Sequence, residues 1–120
     1  IGYGRLPYLN YHQSLSKEDK QIIDWAIEVT NLKEHQNKML NSLSGGQQQR
    51  VWIALALAQK TPILLLDEPT SRIDSLNEAA LLESLKRIKD EKLIIIVSHR
   101  KSSLALCDEI IEIEQGIIKT

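Results

Sequence analysis

Two short, uninterrupted aliphatic runs constrain this chain more than any other feature: Ile63-Leu64-Leu65-Leu66 and Leu93-Ile94-Ile95-Ile96-Val97. Neither alternates apolar with polar residues, so each suits a strand covered on both faces, as in a parallel sheet. The segment between them places Leu81, Leu85 and Ile88 on one stripe and its charges elsewhere, which predicts an amphipathic helix over residues 77–89. Strand, helix, strand is a parallel crossover unit, so the fold class is α/β. Parallel pairing also brings the residues that follow both runs to one rim of the sheet, where open α/β folds gather their ligands.

The rest of the chain reads around that unit. Residues 1–15 mix Gly, Pro, Tyr and Asn with no helical or strand period and are expected to form loop. Ser16 followed by Asp19 resembles a capping box, and Ile22, Ile23, Ala26, Ile27 and Val29 behind it predict a helix over 17–31. A polar stretch from Lys33 to Ser42 leads to Leu43-Ser44-Gly45-Gly46-Gln47 and a second, mostly buried helix over 47–59, which Thr61-Pro62 ends. Near the C-terminus the alternation from Glu109 to Glu114 predicts a half-exposed strand, with Gln115-Gly116 as a turn before Ile117-Ile118.

Composition removes several function classes. With 120 residues the chain fits one domain or part of one. Its 15 Lys and Arg against 16 Asp and Glu leave a net charge of −1, which argues against a basic nucleic-acid-binding domain. The longest aliphatic run, Leu93 to Val97, is far too short to span a bilayer. A single cysteine, Cys107, forms no internal disulfide or zinc ribbon and suits a reducing cytoplasm. The N-terminal residues carry no signal-peptide pattern, and residue 1 is Ile rather than Met, so the chain is expected to be the cut end of something longer.

Three features carry chemistry. Ser44-Gly45-Gly46 opens a helix, where unpaired N–H groups and two residues lacking Cβ can cradle phosphate; a Ser-capped helix after a flexible turn accounts for the same residues. Asp67-Glu68 follows the first apolar run, where Asp suits Mg²⁺ and Glu a general base, although acids also follow strands simply because the chain has reached solvent. Ser98-His99 follows the second run and so reaches the same rim. His12 and His35 fall in polar loops and are expected to be structural. Asp74 and Ser75 compete to cap the helix that follows.

Taken together and in order, these residues resemble the nucleotide-binding subunit of ATP-binding cassette (ABC) proteins. Leu43 to Gln47, continuing through Gln48-Gln49-Arg50, resembles the signature motif; Ile63 to Glu68 the Walker B strand with its catalytic glutamate; Ser71 to Asp74 the D-loop; and Ser98-His99 the switch histidine. The resemblance implies a P-loop NTPase-type core and a head-to-tail dimer of two such subunits holding two ATP molecules between them. In that arrangement Leu43, Ser44, Gly45, Gly46 and Gln47 bind nucleotide held by the opposite subunit and Asp67 positions Mg²⁺. Glu68 polarises the attacking water, His99 contacts the γ-phosphate, and Asp74 links the two sites. It also implies transmembrane permease partners and a peripheral place on the cytoplasmic face of the cell membrane.

The pattern breaks at the Walker A loop. The glycines stand at 2, 4, 45, 46 and 116, and no Gly-Lys pair occurs. The resemblance therefore assigns residues 1–42 to part of the helical subdomain and 43–120 to the signature helix and C-terminal half of the ATPase core, inactive alone. Gly2 to Tyr8 and the helix after it resemble ATPases of iron-siderophore, haem or cobalamin importers, whereas His99-Arg100 resembles exporter-type subunits and Arg72 in the D-loop is unusual. The expectation is an ATPase subunit powering import of an iron-siderophore-like solute. Two alternatives stand beside it: an exporter-type subunit, and a truncated, non-catalytic module that only binds or dimerises. Part of the apolar surface of Leu64, Leu66, Ile94 and Ile96 should lack cover in this chain, so self-association is expected.

Overall fold

The protein is described here by a computed structural model, over residues 1–119. Two parallel strands, β1 (Ile63–Asp67) and β2 (Leu93–Val97), pair with Ile63 opposite Leu93 and Asp67 opposite Val97. The crossover is α3 (Ser75–Ile88). Both strands therefore end level with one another, and the turns leaving them start at the same rim.

Two further helices complete the layer on one side of the sheet. In α1 (Lys17–Val29) the Ser16 hydroxyl accepts from the Asp19 N–H while the Asp19 carboxylate accepts from the Ser16 N–H, a full capping box. In α2 (Gly45–Ala58) Ser44 and Gln47 make the same reciprocal pair. Helix α2 packs on α1 and α3, and the small side chains of Ala26, Ala54 and Ala58 are fully buried between them. Leu32, Ile53, Leu57, Leu64, Leu66, Leu81, Leu85 and Ile88 complete a single buried cluster. Each large aliphatic side chain fully buried here contributes about 1.5–3 kcal/mol. A short helix, α4 (Lys101–Leu104), follows β2.

The sequence predicts β1, β2 and the helices α1 to α3 in this order, with ends shifted by a few residues, but not α4. Three expectations change. The first concerns the sheet, where the uncovered surface is expected on Leu64, Leu66, Ile94 and Ile96 but falls on the opposite face, with Ile94 and Ile96 packed against the core. Leu64 and Leu66 face the helices and are buried, but Leu65 on the other face is 65% exposed, and Ile63, Leu93, Ile95 and Val97 are exposed with it. Among the described residues every helix lies on one side, so the two-sided apolar pattern is only half satisfied.

The second concerns residues 1–15, read as loop, where Gly2–Tyr8 forms a 3₁₀ helix. Its cause is tertiary. Arg5 is buried, its Nε donating to Asp19 at 2.8 Å and its Nη1 to the Ala58 carbonyl at 3.1 Å. A Cβ on Gly4 would run into the Leu55 carbonyl, so the turn lies directly on the backbone of α2. The Ser16 N–H first, and then Arg5 and the Ser16 hydroxyl, hold the Asp19 carboxyl below the usual range.

The third is the strand expected over 109–114. Only β3 (Ile113–Glu114) forms, paired antiparallel with β4 (Ile117–Ile118). Gln115 and Gly116, both at positive φ, make the tight turn between them. Alternation suits a strand, but residues 109–112 have no partner strand to pair with among the described residues.

Candidate functional site

Glu68 is the first residue beyond β1, and its backbone takes φ of +45°, the left-handed region that a glutamate enters only at a cost of about 1–3 kcal/mol. The surroundings hold it there. Its N–H donates to the Val97 carbonyl at 2.8 Å, and its own carbonyl accepts from the Ser71 N–H at 3.0 Å. Pro69 and Thr70, both buried, plug the turn from below, and the Thr70 hydroxyl lies 3.2 Å from that of Ser103 in α4. The turn after β1 is thus stitched to the segment after β2.

That stitching brings two side chains together. His99 Nδ1 lies 2.7 Å from Glu68 Oε1. A carboxylate only accepts, so Nδ1 carries the proton in this contact and Nε2 points elsewhere. His99 is 80% exposed and Glu68 33% exposed, so the pair opens to solvent. The second Glu68 oxygen, Oε2, is buried without a hydrogen-bond partner. Asp67 beside it is exposed at the strand end.

Asp67 fits a bound Mg²⁺. This ion takes one or two protein carboxylates and completes its shell with water and phosphate. The exposed Asp67 carboxylate is such a ligand, although Asp67 does not line the pocket that Glu68, His99 and Gly45 share. No group of three or more His, Cys, Asp or Glu side chains forms a metal cage among the described residues. A site filled partly by its substrate needs none.

Helix α2 closes the pocket. It precedes β1 and runs back against it, so its first residue returns to the same rim. The resulting pocket, about 500 Å³, is lined by Gly45, Gln49, Glu68, Arg72 and His99, with Ser71 and Ile73. A larger cavity, about 580 Å³, lies at the opposite end of the strands against Trp25, Pro62 and Lys92, away from the acid pair.

The pocket separates the residues that sequence grouped together. Gly45 has open space where a Cβ would stand, as a phosphate approach requires. At Gly46 a Cβ would collide with the Asn77 side chain, so this glycine serves the contact between α2 and α3. The side chains of Ser44 and Gln47 are engaged in the helix cap, and Leu43 is buried. Gln47 also lies 3.3 Å from His35, which gives that histidine a hydrogen-bonding partner.

Asp74 is the N-cap of α3, accepting from the Asn77 N–H at 2.9 Å and the Asn77 side chain at 2.7 Å. Those bonds, the backbone one foremost, hold its carboxyl below the usual carboxylate range. The cap rather than the pocket occupies this side chain.

The sequence placed Gln49 and Arg50 in the continuation of the signature motif without giving either a contact, and it did not single out Thr70 or Glu78. Arg50, buried, donates to the Thr30 and Asn31 carbonyls at the end of α1 and to Asn77 at the start of α3. Burial pushes its guanidinium down. Gln49 lines the pocket, Thr70 packs under Glu68, and Glu78 bonds the segment behind His99. The contacts of Arg50, Thr70 and Glu78 carry no local signal, because each is made to a partner distant in sequence.

A strand-end acid pair, a histidine from the neighbouring strand and a glycine-opened helix N-terminus form one rim, and a family profile described as ABC transporter matches residues 5–71. The chain belongs to the ABC transporter family. As an ABC chain it is 42% identical over 119 residues to the petrobactin import ATP-binding protein FpuC of Bacillus anthracis, covering 97% of this chain and 44% of FpuC. It is 45% identical over 101 residues to the iron(3+)-hydroxamate import ATP-binding protein FhuC of Bacillus subtilis, covering 82% of this chain and 38% of FhuC. The chain thus spans less than half the length of either relative.

Among solved structures, the dimeric form of a bacterial ABC transporter cassette superposes on all of this chain and 55% of its own, at 31% identity and a TM-score of 0.77. The same cassette in a dimeric post-hydrolysis state bound to ADP and phosphate gives a TM-score of 0.76, with the same identity and coverage. The fold is therefore that of the ABC ATPases, a P-loop NTPase fold in which parallel strands carry crossover helices. No helix among the described residues is long and apolar enough to cross a membrane.

Proposed function

We propose that this chain supplies the signature helix and hydrolytic rim of an ATPase subunit that powers import of a chelated-iron solute. The Walker A loop would come from sequence outside these 120 residues. In this reading residues 1–42 belong to the helical subdomain and 43–120 to the ATPase core, and the subunit sits on the cytoplasmic face of the membrane against permease partners. The observation that carries it is the 2.7 Å contact between Glu68 and His99 at the rim where Gly45 opens α2. The import ATP-binding proteins FpuC and FhuC support the direction and the class of solute.

The chemistry follows from the residues. Glu68 accepts the proton of a water as its oxygen attacks the γ-phosphorus of ATP and the bond to the bridging β–γ oxygen breaks. Phosphoryl transfer of this kind depends mainly on position and electrostatics. His99 holds the Glu68 carboxylate through Nδ1; a hydrogen bond from Nε2 to a phosphate oxygen then needs the doubly protonated ring or rotation away from Glu68. Mg²⁺, held by Asp67, would neutralise phosphate charge. Gly45, together with Ser44, Gly46 and Gln47 at the same helix start, would meet nucleotide carried by a second subunit in a head-to-tail dimer, with Asp74 keeping the D-loop in register between the two sites.

Glu68→Gln in the protein expressed from the complete reading frame tests this. Turnover should fall by roughly 10² to 10⁴, the range for losing a general base, with ATP still bound. An unchanged rate would remove Glu68 from the mechanism. A complete frame that starts at this chain and lacks any Gly-Lys-Ser or Gly-Lys-Thr loop would favour a non-catalytic dimerising module instead.

A further inference from the structure

The first turn of α3 touches both walls of the pocket without lining it. Asn77 packs against Gly46 at the start of α2, and its Oδ1 accepts from Arg50 at 3.4 Å. One residue on, the Glu78 carboxylate accepts from Arg100 Nη1 at 3.4 Å and from the Ser102 hydroxyl. Both donors lie within three residues of His99. The Glu78 side chain is only 16% exposed, so water competes weakly for these bonds. An acid in the first turn of a helix is often explained by the helix dipole alone. That explanation requires no partner, whereas Glu78 has two, both from the segment that carries His99.

His99 itself is largely exposed and, among the described residues, its ring makes one side-chain hydrogen bond, to Glu68. The residue after it is an arginine tied to α3, and α4 behind it is a single turn. On its other side the segment is held by the buried Ser103, whose hydroxyl lies 3.2 Å from that of Thr70, so the Glu78 tie fixes the stretch between His99 and that second anchor.

We propose that Glu78 is a positioning residue: through Arg100 and Ser102 it fixes the His99 segment to the same helical turn that holds the start of α2 through Asn77. The first turn of α3 then sets the spacing between His99 and Gly45, and a shift of this turn moves both. This deepens the ATPase reading and rests on it for its catalytic consequence, though not for the anchor itself.

The test uses the protein expressed from its complete reading frame. Glu78→Ala should lower kcat for ATP hydrolysis by about 10- to 100-fold, the scale of a misplaced group, with KM for ATP nearly unchanged because Glu78 touches no nucleotide. Glu78→Gln, which keeps an accepting oxygen at the same reach, should recover most of the loss. Glu78→Ala combined with Arg100→Ala should be no worse than the poorer single variant, as expected for residues acting as one unit.

Amide hydrogen exchange over residues 98–105 should quicken in Glu78→Ala and remain wild-type in Glu78→Gln. Should Glu78→Ala fail to fold, the pair Arg100→Ala and Ser102→Ala removes the same bonds from the loop side and is read in the same way. Unchanged exchange overturns the anchor, and quickened exchange with unchanged kcat overturns the positioning role. A wild-type protein that hydrolyses no ATP sinks the ATPase reading instead, and exchange alone then decides the anchor.

Discussion

The two ends of the same pair of strands are built by different rules. At the end where β1 and β2 begin, Lys92 donates to the Thr61 carbonyl at 3.1 Å and lies over the Trp25 ring, in a cavity larger than the pocket at the other end. At the end where they finish, Glu68 and Arg72 both hold left-handed φ, one Glu68 oxygen is buried without a partner, and a histidine stands mostly in solvent. The larger cavity is locally satisfied and the smaller one is not. Size therefore points to the wrong end. Left-handed backbone does not separate the two, since Lys60 beside the larger cavity holds φ of +55°. The buried, unpartnered Glu68 oxygen and the Glu68–His99 contact are what mark the right one.

Replacing Glu68 by glycine sharpens this contrast most. Glycine adopts φ of +45° freely, so relief of backbone strain should offset the lost His99 bond and leave the protein at least as stable as wild type, by up to about 1 kcal/mol. Turnover should be lost as fully as in Glu68→Gln, by roughly 10² or more. Melting curves beside ATPase rates in the full-length protein measure both. A variant that loses stability along with activity would mean that the Glu68 side chain, through His99, stabilises the fold by more than its left-handed φ costs, and the difference between the two ends would disappear.

The signature glycines divide along the same line. Gly46→Ala forces a methyl against Asn77 and should cost about 1–3 kcal/mol, the range for overpacking. Gly45→Ala meets nothing and should leave denaturant stability equal to wild type or up to about 1 kcal/mol higher, as helix propensity dictates. Its effect should instead fall on ATP turnover. If both variants destabilise equally, Gly45 has no claim to a phosphate.

What the sequence disclosed and what it hid differ by range. The strands, the crossover helix, the capping box at Ser16 and the serine cap at Ser44 were legible because each rests on residues a few positions apart, though the reciprocal Gln47 bond at Ser44 was not read. The rim was legible for a related reason: parallel strands paired in register finish together, which puts Glu68 and His99 at the same end, while their 2.7 Å contact depends on the turns that follow. Arg5, Arg50, Thr70 and Glu78 were not, since their partners lie 14 to 53 residues away and no local period encodes them. The shortened strand at Ile113 shows the reverse error, where a good local pattern lacked a partner.

The bare face of the sheet gives a smaller effect. Ile63, Leu65, Leu93, Ile95 and Val97 form a contiguous apolar surface on the isolated 120-residue chain, which should therefore self-associate as its concentration rises. Leu65→Lys, placed on that face and not in the core, should shift sedimentation toward monomer without lowering the melting temperature. A wild-type chain that sediments as a monomer with a cooperative melt would show that exposure of this face costs little.

The smallest expected effect belongs to the quiet end of the strands. Burial is the main influence on the Lys92 ammonium and pushes its pKa below the usual 10.5, against a weaker opposing pull from Glu91. The unfolded chain then binds the Lys92 proton more tightly than the folded one. Stability should rise with pH through the window between the lowered folded value and 10.5, and fall again as pH drops through it. Lys92→Met removes this titration while keeping an apolar stem over Trp25. The difference in melting temperature between wild type and Lys92→Met should narrow in favour of wild type as pH approaches 10.5, with ATP turnover equal in the two at neutral pH. A difference that does not vary with pH would mean that Lys92 is as well solvated folded as unfolded. A loss of turnover in Lys92→Met would carry the chemistry to both ends of the strands and erase the distinction between them.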